Sequence, residues 1–138
     1  MATKAKGIRI SDELDEEIAR ESKARGKSWS AITNELLEEA VRMRRAPGIG
    51  FVDGPTGRRA VVAGTGLDVW EIIATWLEDP DEEVLRRNYP WLTEMQLRAA
   101  LAYFQLYPDE INKRLEREVQ WTPERVWREL PFSRPRNR

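Results

Sequence analysis

The stretch Gly7-Ile8-Arg9-Ile10-Ser11-Asp12-Glu13-Leu14 carries two local signals with no loop between them. Its first half alternates, with Ile8 and Ile10 on one face of an extended chain and Arg9 on the other. Its second half is a helix start: Ser11 can cap, and Asp12 and Glu13 put negative charge at the positive end of the helix dipole. A strand this short has no stability of its own. What pairs with it decides the fold.

Downstream, residues 12 to 25 are expected as a helix with Leu14, Ile18 and Ala19 on one face. Gly26 stands where a left-handed residue ends a helix. Ser28 or Ser30 then opens a second helix to about Arg44, with Ile32, Leu36, Leu37, Ala40 and Val41 at helical spacing. Arg42, Arg44 and Arg45 suit its negative end, and Ala46-Pro47-Gly48 closes it.

From Gly48 to Gly66 the pattern changes. Phe51-Val52 and Ala60-Val61-Val62 are β-prone and flank Asp53-Gly54-Pro55-Thr56-Gly57, which predicts a hairpin with a loose turn. Three helices are expected next. Asp68 and Glu71 form a capping box before Val69, Ile72, Ile73 and Trp76. Asp79-Pro80 with Glu82 opens a short helix over about residues 81–88. Thr93 and Gln96 open the third, with Leu97, Ala100, Leu101 and Phe104 facing inward. Pro108 is expected to break or kink it, before an amphipathic extension through Ile111 and Leu115 to about Val119. Thr122-Pro123 signals one more helix, and the basic segment after it is expected to be irregular.

Composition narrows the chemistry. The chain has 138 residues, 34% of them charged and 41% hydrophobic, so small subdomains would lean on each other or on a second copy. With no cysteine and no histidine, disulfides, thiolate chemistry, zinc sites and histidine acid–base catalysis are excluded. The net charge of −1 argues against a generally sticky nucleic-acid coat but leaves room for a local basic face. No apolar run is long enough to span a bilayer, and the N-terminus lacks the apolar centre of a secretory signal, so a cytoplasmic protein is expected. Of the six tryptophans, all but Trp29 lie from Trp70 onward, where they are expected in a core.

Residues 3–45 resemble a ribbon-helix-helix DNA-binding domain of the Arc/MetJ/CopG class. The likeness rests on the strand that runs into a capped helix, the Gly26 turn, and Ser28-Trp29-Ser30 opening a second amphipathic helix. The resemblance implies an intertwined dimer in which two strands pair as an antiparallel ribbon over a core of Ile8, Ile10, Leu14, Ile18, Ile32 and Leu36. Ala5, Gly7 and Arg9 would then face the major groove, which admits a two-stranded ribbon. Arg9 would carry most base reading, since an arginine–guanine contact discriminates by roughly 1–3 kcal/mol; Ala5 and Gly7 bring no functional side chain. Lys4 and Lys6 would flank phosphates, and Ser28, Trp29 and Ser30 would hold one at a helix N-terminus. The plainer alternative is an edge strand that only dimerises.

Residues 50–118 resemble the family called domain of unknown function 433. The likeness is carried by Gly64-Thr65, Asp68 to Ile72, Pro80 to Arg87, Tyr89-Pro90-Trp91-Leu92-Thr93 and Arg98 to Tyr103. It implies a helix-turn-helix-like three-helix core, and members of the family serve as antitoxins beside PIN-like ribonuclease toxins. Ala63 and Gly66 stand where the family's turn usually has arginines. DNA reading by Gln96 and Arg98 from the third helix is a secondary possibility beside a docking platform.

Together these give a mainly α protein with a short β-ribbon: a ribbon-helix-helix over 1–46, a β-hairpin plus helices over 47–119, and a tail over 120–138. In the tail, Trp121, Trp127, Phe132, Arg134 and Arg136 are candidates for gripping a partner; a core-capping role for the tryptophans before an unstructured end is the alternative. Gly26-Lys27-Ser28 is not a phosphate loop, because Glu21 occupies the first glycine position, and Gly64-Thr65-Gly66 lacks the third glycine of a dinucleotide fingerprint. Adjacent carboxylates such as Glu16–Glu17, Glu38–Glu39 and Glu82–Glu83 splay around their helices. No catalytic residue, metal or cofactor is expected. The leading expectation is a dimeric antitoxin that binds double-stranded operator DNA, represses its own operon and neutralises a PIN-like toxin. The alternatives are a stand-alone regulator whose second module serves oligomerisation or ligand binding, and a protein-interaction adaptor.

Overall fold

The computed structural model describes residues 3–120 and 123–133. The chain divides into two compact units, Met1–Arg42 and Met43–Arg138.

In the first unit, residues 3–10 lie outside any helix or strand. Ile8 is 62% exposed, so the expected alternation of faces is not expressed in the single chain. An extended segment keeps a strand's hydrogen bonds only when another strand accepts them. The helices follow their local signals. α1 (Asp12–Arg25) begins where Ser11 Oγ accepts the Leu14 N–H at 3.1 Å. It ends at Gly26, whose φ of 64° is the left-handed conformation, and the N–H groups of Gly26 and Lys27 both reach the Ser22 carbonyl. α2 (Trp29–Arg45) is capped by Ser28 Oγ, which accepts the Ala31 N–H at 3.1 Å. Across the turn, Arg25 and Lys27 grip Glu35 at 2.9 and 3.5 Å, and Trp29 Nε1 donates to Asp15 at 2.9 Å. Of the apolar residues expected on the inner faces, Ile18 and Ile32 are buried. Leu14, Ala19, Leu36, Leu37, Ala40 and Val41 are exposed. Two helices alone cannot cover both stripes.

In the second unit, β1 (Ile49–Gly54) and β2 (Gly57–Val62) pair antiparallel from Ile49–Val62 to Gly54–Gly57. The loop is only Pro55-Thr56, tighter than the loose turn expected; pairing runs to the end because Gly57 takes a φ of 125°. The helices are α3 (Val69–Glu78), α4 (Glu82–Asn88), α5 (Glu94–Leu106), α6 (Pro108–Gln120) and α7 (Pro123–Glu129), then a 3₁₀ turn, Pro131–Ser133. Pro108 breaks the predicted long helix: α5 ends at Leu106 with Tyr107 as its cap, and Pro108 is the first residue of α6, where its missing N–H costs nothing. At the start of α5, Thr93 and Gln96 cap each other's N–H at 3.1 and 2.8 Å.

The hairpin packs on α3 and α5, and α3 also packs on α4 and α6. Val62, Val69, Ile72, Ile73, Leu85, Ala100 and Tyr103 form the centre of this core, fully removed from water. Each large aliphatic side chain there contributes roughly 1.5–3 kcal/mol. Of the residues expected to face inward from α5, Leu97 and Ala100 are buried, while Leu101 and Phe104 are partly buried. Tyr103 takes the central place. Its ring meets Phe51 edge-on at 6.3 Å and Tyr107 at 5.0 Å, and its hydroxyl donates to the Glu110 carboxylate. A tyrosine can be fully buried when its hydroxyl finds such an acceptor. The tryptophans divide: Trp70 and Trp76 pack on the core, whereas Trp91 is exposed and leans edge-on against Tyr89 at 5.8 Å. Trp121 lies outside the described residues. No helix among the described residues is long and apolar enough to cross a membrane.

Candidate functional site

The first candidate surface is the basic entry of the first unit. Lys4, Ala5, Lys6, Gly7 and Arg9 are all exposed, with no acid before Asp12. At the start of α2, the Ser28 hydroxyl is committed to its cap and the Trp29 ring to Asp15. The backbone N–H groups of Trp29 and Ser30, in the first turn, have no acceptor within their own helix. A phosphate there would therefore be held by main chain.

On α5, Gln96 serves its cap, and Arg98 pairs with Glu94 at 2.7 Å. Both side chains are engaged within their own helix. In the tail, Trp127 is half-buried and Phe132 is 85% exposed. Arg134 and Arg136 lie outside the described residues.

The second candidate is a cleft of about 180 Å³ between the hairpin turn and α6. Local sequence did not single it out. Arg58 and Arg59 enter from β2, Arg114 and Arg117 from α6, and Trp70 from the first turn of α3. Arg59 Nη1 donates to the buried Asp68 at 2.6 Å, and Trp70 Nε1 takes the other oxygen of that carboxylate at 2.8 Å. Arg114 lies over the Trp70 ring, 5.3 Å from its centroid. The only signal in the sequence was an Arg-x-x-Arg spacing on an amphipathic helix, which by itself describes many solvated faces.

The turn after β2 is self-contained. Thr65 Oγ1 donates to the Val62 carbonyl at 2.7 Å and accepts the Leu67 N–H at 3.1 Å. Gly66 has a φ of 72°, a conformation that an arginine would adopt only with strain.

Residues 54–104 match the family described as Protein of unknown function (DUF433). The DUF433 segment thus contains β2, α3, α4 and most of α5, a narrower span than the resemblance over 50–118. The cleft straddles its edge: Arg58, Arg59 and Trp70 belong to the DUF433 segment, and Arg114 and Arg117 do not. No curated protein and no solved structure matches the chain.

Proposed function

We propose that the protein is a dimeric DNA-binding antitoxin that represses its own operon. The observation that carries this is the first unit's incompleteness as a single chain. A basic segment outside any helix or strand leads into two capped helices, and Ile8, Leu14, Leu36, Leu37 and Val41 remain exposed. A second copy would supply the missing strand and cover the apolar stripes together. The paired segments would then present two copies of Arg9, with Ala5 and Gly7 beside it, to the major groove. Lys4, Lys6 and the N-terminus of α2 would meet phosphates.

The toxin-neutralising half of this reading draws support from the DUF433 match, because the resemblance to that family implies antitoxin members, and from the exposed Phe132 and half-buried Trp127. The partner would be a PIN-like toxin.

The test is binding of the purified protein to its own upstream DNA against scrambled DNA across a salt series, with Arg9→Ala alongside. The expected result is a preference for the upstream sequence that Arg9→Ala abolishes, with affinity falling steeply as salt rises. No binding at low salt would remove the DNA-binding reading and leave a partner-docking protein.

A further inference from the structure

Arg114 and Arg117 are three residues apart and so share one face of α6. Each directs an Nη1 at the same neutral atom, Thr56 Oγ1, at 3.5 Å. That length is at the weak end of hydrogen bonding, and a hydroxyl offers no charge to offset two cations. Around them, the cleft lining contains four arginines and a single carboxylate, that of Glu110, which accepts the Tyr103 hydroxyl. Three of the arginines have carboxylate partners: Arg58 with Asp53 at 3.1 Å, Arg59 with Asp68 at 2.6 Å and Arg114 with Glu118 at 3.0 Å. Arg117 meets none among the described residues.

Guanidinium forks are suited to anions with several oxygens. The four here come from two directions, the hairpin and α6. A tetrahedral anion can meet both directions, whereas the two coplanar oxygens of a carboxylate serve one fork. Trp70, Ala60 and Ile111 add an apolar wall. A cleft of about 180 Å³ has room for a phosphate with a small organic substituent.

We propose that this cleft binds the phosphate group of a small phosphorylated ligand. The site is separate from the basic entry of the first unit and does not depend on the DNA-binding reading.

The test uses the full chain, isotope-labelled, with the arginine Nε–H and tryptophan indole resonances followed by NMR. The probes are inorganic phosphate, ribose 5-phosphate, acetate and a short single-stranded oligonucleotide. Phosphate is expected to shift the Arg59 and Arg114 Nε–H resonances saturably in the millimolar range, with ribose 5-phosphate binding more tightly and acetate far more weakly. Arg117→Gln, at an exposed position, should fold normally by circular dichroism and weaken phosphate about tenfold. Arg114→Lys keeps the charge but loses the fork, and should weaken it comparably. An equal response to acetate, binding unchanged in Arg117→Gln, or no saturable shift would overturn the proposal. A response to the oligonucleotide with none to phosphate or ribose 5-phosphate would also overturn it, reassigning the cleft to a nucleic-acid backbone.

Discussion

Arg59 Nη1 and Asp68 Oδ1 lie 2.6 Å apart, tying the middle of β2 to the residue that opens α3. Asp68 is 3% exposed, and its second oxygen accepts from Trp70 Nε1. Arg59→Ala would strand a buried carboxylate without its cation. Because Arg59 itself is about two-fifths exposed, water recovers part of the loss, and about 2–3 kcal/mol of stability should go. Urea unfolding of Arg59→Ala, Asp68→Ala and the double variant measures the coupling. A double variant no better than the sum of the singles would mean that the pair contributes nothing of its own.

Tyr103 separates packing from hydrogen bonding in one side chain. Tyr103→Phe keeps the ring against Phe51 and Tyr107 and removes the hydroxyl that donates to Glu110. It should cost about 1–2 kcal/mol. Tyr103→Ala also empties the centre of the core and should cost about 3–5 kcal/mol. Equal losses in the two variants, by thermal or urea unfolding, would place all of the contribution in the hydroxyl.

Glu35 gives the first unit an acid-sensitive contact. Burial pushes its carboxyl up, but the Arg25 hydrogen bond and charge, with Lys27 added, outweigh burial and hold it below the usual 4.5. A carboxyl lowered by folding stabilises the folded state fully above its unfolded value. That contribution fades as pH falls from about 4.5 through the lowered folded value. The stability gap between the wild type and Glu35→Gln should therefore be constant at neutral pH and shrink below the unfolded value. Denaturant midpoints measured across that range check it; a gap that persists unchanged into strong acid would assign the difference to something other than ionisation.

Leu36→Glu tests the second copy directly. Leu36 is exposed on α2 although it falls on the helix's apolar stripe. If a partner covers it, a charge there should convert a dimer to a monomer in sedimentation equilibrium, while the helix content of the dissociated chain falls. A wild-type chain that is monomeric at high concentration would end the dimer reading.

Much of the secondary structure was legible because its signals act over a few residues. Ser11, Gly26, Ser28, Asp68 with Glu71, and Thr93 with Gln96 sit at the helix ends that their short-range hydrogen bonds define. Pro108 was legible as an interruption, but whether it kinks a helix or starts a new one depends on the Tyr107 backbone before it. The central place of Tyr103 was not legible. Its periodic neighbours Leu97 and Ala100 marked the face, but a buried phenol requires an acceptor, and Glu110 comes from the next helix. Trp91 departs in the other direction: its apolar ring suggested a core, but it is exposed and leans edge-on against Tyr89.

By itself, then, the sequence determined where most helices begin and end, where the hairpin turns, and that the first ten residues carry basic charge without acid. Those properties follow from side chains acting on backbone groups within about four residues. Only the tertiary structure decided the cleft, because Thr56 and Arg114 are 58 residues apart and meet through the packing of a hairpin and a helix. What residues 3–10 would pair with belongs to neither level. A strand's hydrogen bonds are satisfied by another strand, and among the described residues the chain offers its N-terminal segment none.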